Sequence, residues 1–361
     1  MSSHRAIAII SPGILEEINL PTPSPTNVEV LVEVHYAALM PADVYQADTG
    51  RYVQEYPLVI GFTSAGYVKA VGDDVTDLKE GDKVAVIGLS SKSRGLQEFA
   101  IAHRSAVAKL PDDYSLAEAV TFPDNYPTAA FTLFGAANLA LPLPSTLPAS
   151  SPPEDADQPI LVHGGAATTG QFTIQLFRLT GYTQVYATAS PQNHAYLKDL
   201  GATKVFDYRS PRLAEEILEA TGGAKVSIVV DTVAAIPSIK SYGSLLGKGS
   251  RLAILHPIKK GTSIVDVEND SDSEALLPLV QEMVGEATVL PVGAMAGLHK
   301  DPLGPIFLPK ILPKLLEGKF LRPNRIRLFE ASGGPLLERV KAGLSLLREN
   351  KVSGEKVVVE V

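Results

Sequence analysis

A chain of 361 residues is long for one average domain, and two is the natural expectation. Hydrophobic residues make up 45% and charged residues 20%, as in a soluble globular protein with a large core; a net charge of −8 with no Lys/Arg cluster argues against nucleic acid or an anionic membrane as partner. Cysteine is absent, which excludes disulfides, thiolate nucleophiles and thiolate zinc sites.

The N-terminus has a short apolar run stopped at once by Pro12, Gly13 and two glutamates, so it reads as a first strand and turn rather than a signal peptide. No apolar stretch approaches the ~20 residues of a membrane span, and a cytoplasmic enzyme is expected. Residues 1–124 read as β-rich, with strands at 28–34, 64–71 and 83–87 set between Gly/Pro/Asp turns. A helical pattern covers 128–139. Residues 141–159 hold six prolines with serines and acids, and read as a surface loop that stiffens a lid or a connection.

Strands and helices then alternate. Strands are expected at 160–163, 184–189, 204–207, 226–231 and 250–256, and helices at 169–181, 191–200, 211–221 and 237–246. Proline opens three of these helices, at 191, 211 and 237, and Gly201 follows the end of one. Apolar strands joined by helices require right-handed crossovers and a parallel sheet covered on both faces. The fifth strand reads as an open edge able to pair two copies, but Pro257 interrupts it and Lys259-Lys260 blunt it. A monomer is expected, with a homodimer as the alternative. A helix at 306–316, a polar strand, a helix at 335–348 and a strand at 355–361 close the chain. Residues 1–125 and 301–361 are therefore expected to form one domain, into which the doubly wound domain 126–300 is inserted.

The segment Val162-His163-Gly164-Gly165-Ala166-Ala167-Thr168-Thr169-Gly170 follows a strand and opens a helix, the setting of a dinucleotide loop. Gly165 and Gly170 take the outer positions of G-x-G-x-x-G and Ala167 the middle one. The helix would aim its free N–H groups at the phosphates, and the hydroxyls of Thr168 and Thr169 can add donors. At the end of the second strand an NAD-selective fold carries an acid for the ribose 2′-hydroxyl; Ser190, Gln192 and Asn193 stand in that stretch instead, and Tyr208 and Arg209 follow the third strand. Without an acid to repel a 2′-phosphate, NADPH is the expected cofactor. Ser190 also suits a helix cap, and the two roles are compatible.

With the glycine loop, residues 182–209, Gly61-Phe62-Thr63-Ser64-Ala65-Gly66, Glu80-Gly81-Asp82-Lys83-Val84 and the terminal stretch 350–361, the chain resembles the medium-chain dehydrogenase/reductase superfamily over nearly its whole length. That resemblance implies a Rossmann domain inserted in a GroES-like catalytic domain. Zinc members carry a cysteine near Met40 and Gly-His-Glu where this chain has Gly61-Phe62-Thr63, and they have a four-cysteine lobe with no counterpart here. His35, His103, His163 and His256 show no ligand spacing, so no metal is expected. Among zinc-free relatives the chain is similar to the quinone-reductase and enoyl-reductase branch, most of all to fungal trans-acting enoyl reductases of polyketide biosynthesis. Asp43 in Met40-Pro41-Ala42-Asp43 matches that branch's Asn-Pro-x-Asp.

The resemblance implies NADPH contacts from Pro41, Asp43 and Val44, from Ala167 to Gly170, from Ser190 to Asn193, and from Tyr208, Leu255, His256, Val352 and Ser353. It places Thr128 near the carboxamide of the nicotinamide, and Phe131 and Phe134 along the substrate path. The implied reaction reduces an activated C=C bond of an enone or an unsaturated, carrier-bound thioester, with a polyketide synthase as an implied partner. Tyr52 and Tyr126 are the candidate proton donors, with Tyr45 and solvent as alternatives. Two further readings share the fold: a quinone reductase, and a non-redox NADPH-binding or cyclase/lyase role.

Overall fold

The computed structural model describes residues 2–264, 270–297 and 300–361. Two compact units emerge: residues 1–124, 305–319 and 323–361 form the first, and residues 125–304 with 320–322 the second. The inserted unit thus ends at 304 rather than 300, and a three-residue piece of the later chain joins it.

The first unit is built on antiparallel strands. Ser3–Ser11 pairs with Ile14–Pro21 and Leu58–Val59. A larger sheet runs in the order Arg325–Phe329, Glu355–Glu360, Glu29–Leu39, Thr63–Val71, Lys83–Ile87, Val107–Lys109, with Phe99–His103 also paired to Glu29–Leu39. Alternate valines, among them Val30, Val32, Val68, Val84 and Val86, meet in its core. Pro41–Thr49, to which the sequence pattern assigned no element, forms a helix. Proline suits its first position, and Asp43 closes a capping box on the Met40 N–H.

The second unit holds a six-stranded sheet in the order Lys204–Asp207, Val185–Ala189, Ile160–His163, Ile228–Asp231, Arg251–Leu255, Thr288–Val292. Every neighbouring pair is parallel. Counted along the chain this is the order 3-2-1-4-5-6, whose direction reverses beside the first strand; the crevice outside the carboxyl ends at such a point is where doubly wound sheets bind ligands. The inner strands Ile160–His163, Val185–Ala189 and Ile228–Asp231 are buried at every residue, as strands covered on both faces are.

The sequence-based expectation of an open edge at 250–256 is overturned. Thr288–Val292 pairs along Arg251–Leu255 and covers it. The helix expected from 128 begins at Phe122, with Pro127 inside, and runs to Phe134. The proline-rich stretch forms no helix or strand. It is tied down by the Ala149 N–H on the Leu179 carbonyl at 2.7 Å, the Tyr182 hydroxyl on Asp155 at 3.2 Å and the Thr183 hydroxyl on Asp157 at 2.6 Å. Tyr182 and Thr183 precede the amino end of the second strand, opposite the glycine loop, so this stretch is a fixed connection and not a lid over that loop.

Candidate functional site

The glycine loop leaves the first parallel strand at His163. Gly164 turns the chain with φ of +75°, and a Cβ there would lie 2.4 Å from the Val233 methyl. The tight turn therefore falls one residue before the position read from the sequence. Gly170 lets the helix close on the strand end, since a Cβ there would meet the Gly164 carbonyl at 2.5 Å. The helix Thr168–Leu179 makes its first ladder bond from the Gln171 N–H to the Ala167 carbonyl at 2.9 Å. Its opening N–H groups thus lie outside its own ladder, as at any helix start, and their positive end faces the crevice.

Buried side chains that the sequence did not single out pin this loop. The Gly164 N–H donates to Thr188 Oγ1 at 3.0 Å, and the same oxygen bonds His163 Nδ1 at 2.9 Å. Gln171, fully buried, donates to the Ala166 carbonyl at 2.9 Å and accepts from the Tyr196 hydroxyl at 2.9 Å. The hydroxyls of Thr168 and Thr169 donate to Asn125 Oδ1 at 2.8 and 3.1 Å. None of these partners forms a local motif with the loop, so the sequence carried no signal for them.

Ser190 and Tyr208 follow the carboxyl ends of two adjacent strands, where Ala189 and Asp207 are partners in register. Asn193 is buried and donates through Nδ2 to Ser190 Oγ at 3.2 Å. Gln192 is exposed beside them, as is Tyr208. Arg209 is committed elsewhere: it grips Asp207 with two bonds of 2.9 and 3.0 Å, cancelling that carboxylate's charge near the same corner. On the fourth strand Asp231 accepts from the N–H groups of Val233 and Ala234 and from the Tyr242 hydroxyl at 2.8, 2.9 and 2.7 Å. Those three donors make it an anchor for the turn that packs on Gly164. Leu255 and His256 are half-buried at the end of the fifth strand, and the His256 N–H reaches Val292.

A donor set of loop amides, a turn too tight for side chains and two hydroxyl-bearing strand ends fits a dinucleotide. Thr128 is half-buried on the helix Phe122–Phe134. Phe131 and Phe134 on that helix are buried, and a Cβ on Gly297 would strike the Phe131 ring at 2.7 Å. Tyr126 is fully buried edge-on to Phe172, and burial pushes its phenol far up.

In the first unit, Pro41 and Val44 lie on the helix Pro41–Thr49, and Val352 and Ser353 precede the last strand. The Asp43 carboxylate is completely buried and turned into the protein. It accepts from the N–H groups of Gly61 and Met40, both at 2.9 Å, and faces the buried Arg94 guanidinium at 3.9 Å. Burial pushes the Asp43 carboxyl up, against the pull of Arg94. Burial also lowers Arg94 to about 10. Arg94 lies 3.5 Å over the Phe62 ring and donates to Gln46 at 3.0 Å. Tyr52, with φ of +62°, is exposed, with the Arg51 guanidinium 4.9 Å from its ring centre. Burial pushes Tyr45 to about 12. Among the described residues no cluster of three His, Asp or Glu could hold a metal ion, and no helix is long and apolar enough to cross a membrane.

Comparison with known proteins bears on both units. Residues 26–124 match the family described as alcohol dehydrogenase GroES-like domain, and residues 168–269 the family described as zinc-binding dehydrogenase. The trans-enoyl reductase himH of Aspergillus japonicus is 30% identical over 341 residues, covering 92% of this chain and 90% of the relative. The trans-enoyl reductase RAP2 of Pyricularia oryzae is 30% identical over 363 residues, covering 97% and 95%. The lovastatin nonaketide synthase enoyl reductase component lovC of Aspergillus terreus is 28% identical over 350 residues, covering 94% and 91%. Among solved structures, CurK enoyl reductase superimposes with a TM-score of 0.76 at 22% identity over 99% of both chains. A quinone oxidoreductase of Pseudomonas syringae gives 0.74 at 20% identity, covering 99% of this chain and all of the other. These two likenesses speak for the fold.

Proposed function

The chain belongs to the medium-chain dehydrogenase/reductase family, among its trans-enoyl reductases, and we propose that it reduces the activated C=C bond of an enone or unsaturated thioester with NADPH and without a metal. Full-length similarity to trans-enoyl reductases carries the reaction class. The pair of hydroxyl-bearing residues, Ser190 and Tyr208, on adjacent strand ends supports NADPH over NADH, because an acid at that corner would repel a 2′-phosphate.

The name of the second matched family mentions zinc, but the side chains at the corresponding positions do not fit it. Met40 and Phe62 offer no ligand for a hard or borderline cation, and the Arg94 guanidinium already lies on the Phe62 ring. No step is routed through a metal.

Bound NADPH would supply the hydride for the β-carbon of the substrate. The protein's part is to hold and orient. The helix Thr168–Leu179 would direct its opening amides at the pyrophosphate, Gly164 and Gly170 would let the backbone come close, and Ser190, Asn193 and Tyr208 would hold the 2′-phosphate. The α-carbon then needs a proton. Tyr126 and Tyr45 are poor donors, since burial holds both phenols up. Exposed Tyr52 and solvent are the sources this reading retains. The reaction of the relatives supports a carrier-bound substrate and a polyketide synthase as partner.

The test is to follow absorbance of NADPH, and separately NADH, against an enone, a crotonyl-type thioester, a quinone and an aldehyde, before and after dialysis against a chelator. Oxidation of NADPH in preference to NADH with the enone or thioester, unchanged by the chelator, is expected. Consumption with the quinone alone overturns the reaction class, equal use of NADH overturns the cofactor choice, and loss on chelation overturns the metal-free reading.

A further inference from the structure

The tight turn after the first parallel strand is held from both sides by threonines of the neighbouring strands. Thr188, on the second strand, takes two successive N–H groups of the turn. The Gly164 N–H reaches its hydroxyl oxygen at 3.0 Å, and the Gly165 N–H reaches its carbonyl at 2.9 Å. Thr232, just past the fourth strand, directs its hydroxyl at the carbonyls of His163 and Gly164, at 3.0 and 2.9 Å. The peptide groups on either side of Gly164 are thus bonded at both their carbonyl and their N–H ends.

The Thr188 hydroxyl has a second neighbour, His163 Nδ1 at 2.9 Å, and among the described residues no third. Thr188 is completely buried, so its single hydrogen needs an acceptor. The Gly164 N–H can only donate. The hydroxyl hydrogen therefore goes to Nδ1, and the neutral ring carries its own proton on Nε2. With Nδ1 protonated instead, the oxygen would face two donors and its hydrogen would be buried without a partner. We infer that Thr188 and His163 are positioning residues of the phosphate loop, joined in a chain that runs one way, from the Gly164 N–H to the Thr188 hydroxyl to His163 Nδ1. The ring gives the hydroxyl its direction, the hydroxyl oxygen stays open to the Gly164 N–H, and the turn keeps the peptide orientation from which the loop enters the helix Thr168–Leu179. The inference rests on the dinucleotide reading of the loop and adds to it two residues of the sheet and one tautomer.

Two measurements on the full chain test it. With isotopically labelled histidine, heteronuclear NMR reads the tautomer, and the signal lost in His163→Asn identifies the ring. Nδ1 is expected to resonate as a bare nitrogen and Nε2 as one that bears a proton. Titration with NADPH, followed by its own fluorescence, reads the loop. Thr188→Val is expected to weaken NADPH about fivefold or more, equivalent to ~1 kcal/mol, whereas Thr188→Ser stays within about twofold of the parent. A role in packing alone predicts the reverse order, since valine has the shape of threonine and serine lacks a methyl. His163→Leu is expected to weaken binding as Thr188→Val does, and to add little in the Thr188→Val background because it acts through the hydroxyl. His163→Asn, whose amide oxygen can accept in place of Nδ1, is expected to lose much less, and this pair carries the same contrast if Thr188→Val does not fold. A neutral ring protonated at Nδ1, Thr188→Val binding as well as the parent, or equal losses within either pair of variants overturns the inference. A parent that binds neither NADPH nor NADH overturns the dinucleotide reading itself, which the tautomer signal does not touch.

Discussion

Ser190 stands where an NADH-selective fold would carry an acid, and its hydroxyl oxygen already accepts from Asn193 Nδ2. An aspartate there keeps an acceptor for that bond, so the corner should fold. Its charge would repel a 2′-phosphate and accept from a 2′-hydroxyl. Ser190→Asp is therefore expected to lower the ratio of kcat/KM for NADPH over NADH by about tenfold or more, equivalent to ~1.4 kcal/mol. Paired initial-rate measurements check it, and an unchanged ratio removes Ser190 from the 2′-phosphate site. At this scale the sequence was informative where chemistry is local. A serine, an asparagine and the lack of an acid can be seen without a fold. It was blind to Asp43 as a buried cap: the carboxylate is satisfied by Gly61, eighteen residues on, and only the folded chain shows its oxygens used up.

At the scale of elements, the strand ends around the glycine loop are joined by buried polar side chains, and one of them is a histidine. His163 is fully buried between Thr188 and the Tyr242 ring, whose centre is 4.8 Å away. Burial lowers its pKa below 6.5, only partly opposed by the charge of Asp231. The unfolded chain then binds more protons than the folded one in the acid range, so stability rises with pH there. The contribution is intact above about 6.5 and is lost as the pH falls, with a slope of at most ~1.4 kcal/mol per pH unit for one group. Melting curves at several pH values between about 5 and 8 should show a steeper acid loss for the parent than for His163→Gln, which has no such titration. Parallel slopes would mean that the ring charges without penalty. The strands 160–163, 204–207 and 83–87 were legible to the residue, because each holds a short apolar run, Ile160-Leu161-Val162, Val205-Phe206 and Val84-Ala85-Val86-Ile87, bounded by polar or turn residues. Thr288–Val292 was not: five residues with a proline do not announce a strand, and only pairing with Arg251–Leu255 makes them one. The helix Pro41–Thr49 was missed for a related reason, since its buried face includes Asp43 and Gln46, which break the apolar period.

At the scale of the whole molecule, that last strand decides whether the parallel sheet can grow. The Thr288 N–H reaches the Ser250 carbonyl and the Val292 carbonyl accepts from the His256 N–H, so residues 288, 290 and 292 turn their backbone groups inward. Because these groups alternate along a strand, Val289 and Pro291 turn theirs outward. Proline has no N–H, so at 291 the outer edge presents an acceptor with no donor beside it, a pattern that obstructs pairing with another sheet. The sequence-based expectation of a monomer rested on Pro257 and two lysines beside the wrong strand; Pro291 gives it a different basis. Pro291→Val restores the missing donor at a position where the ring makes no ladder bond, so the fold should persist. Light scattering across a concentration series is expected to give a single-chain mass for the parent and a rising average mass for Pro291→Val. A parent that already runs as a dimer would show that the association surface lies elsewhere, and a variant that stays monomeric would show that the proline is not what keeps this edge alone.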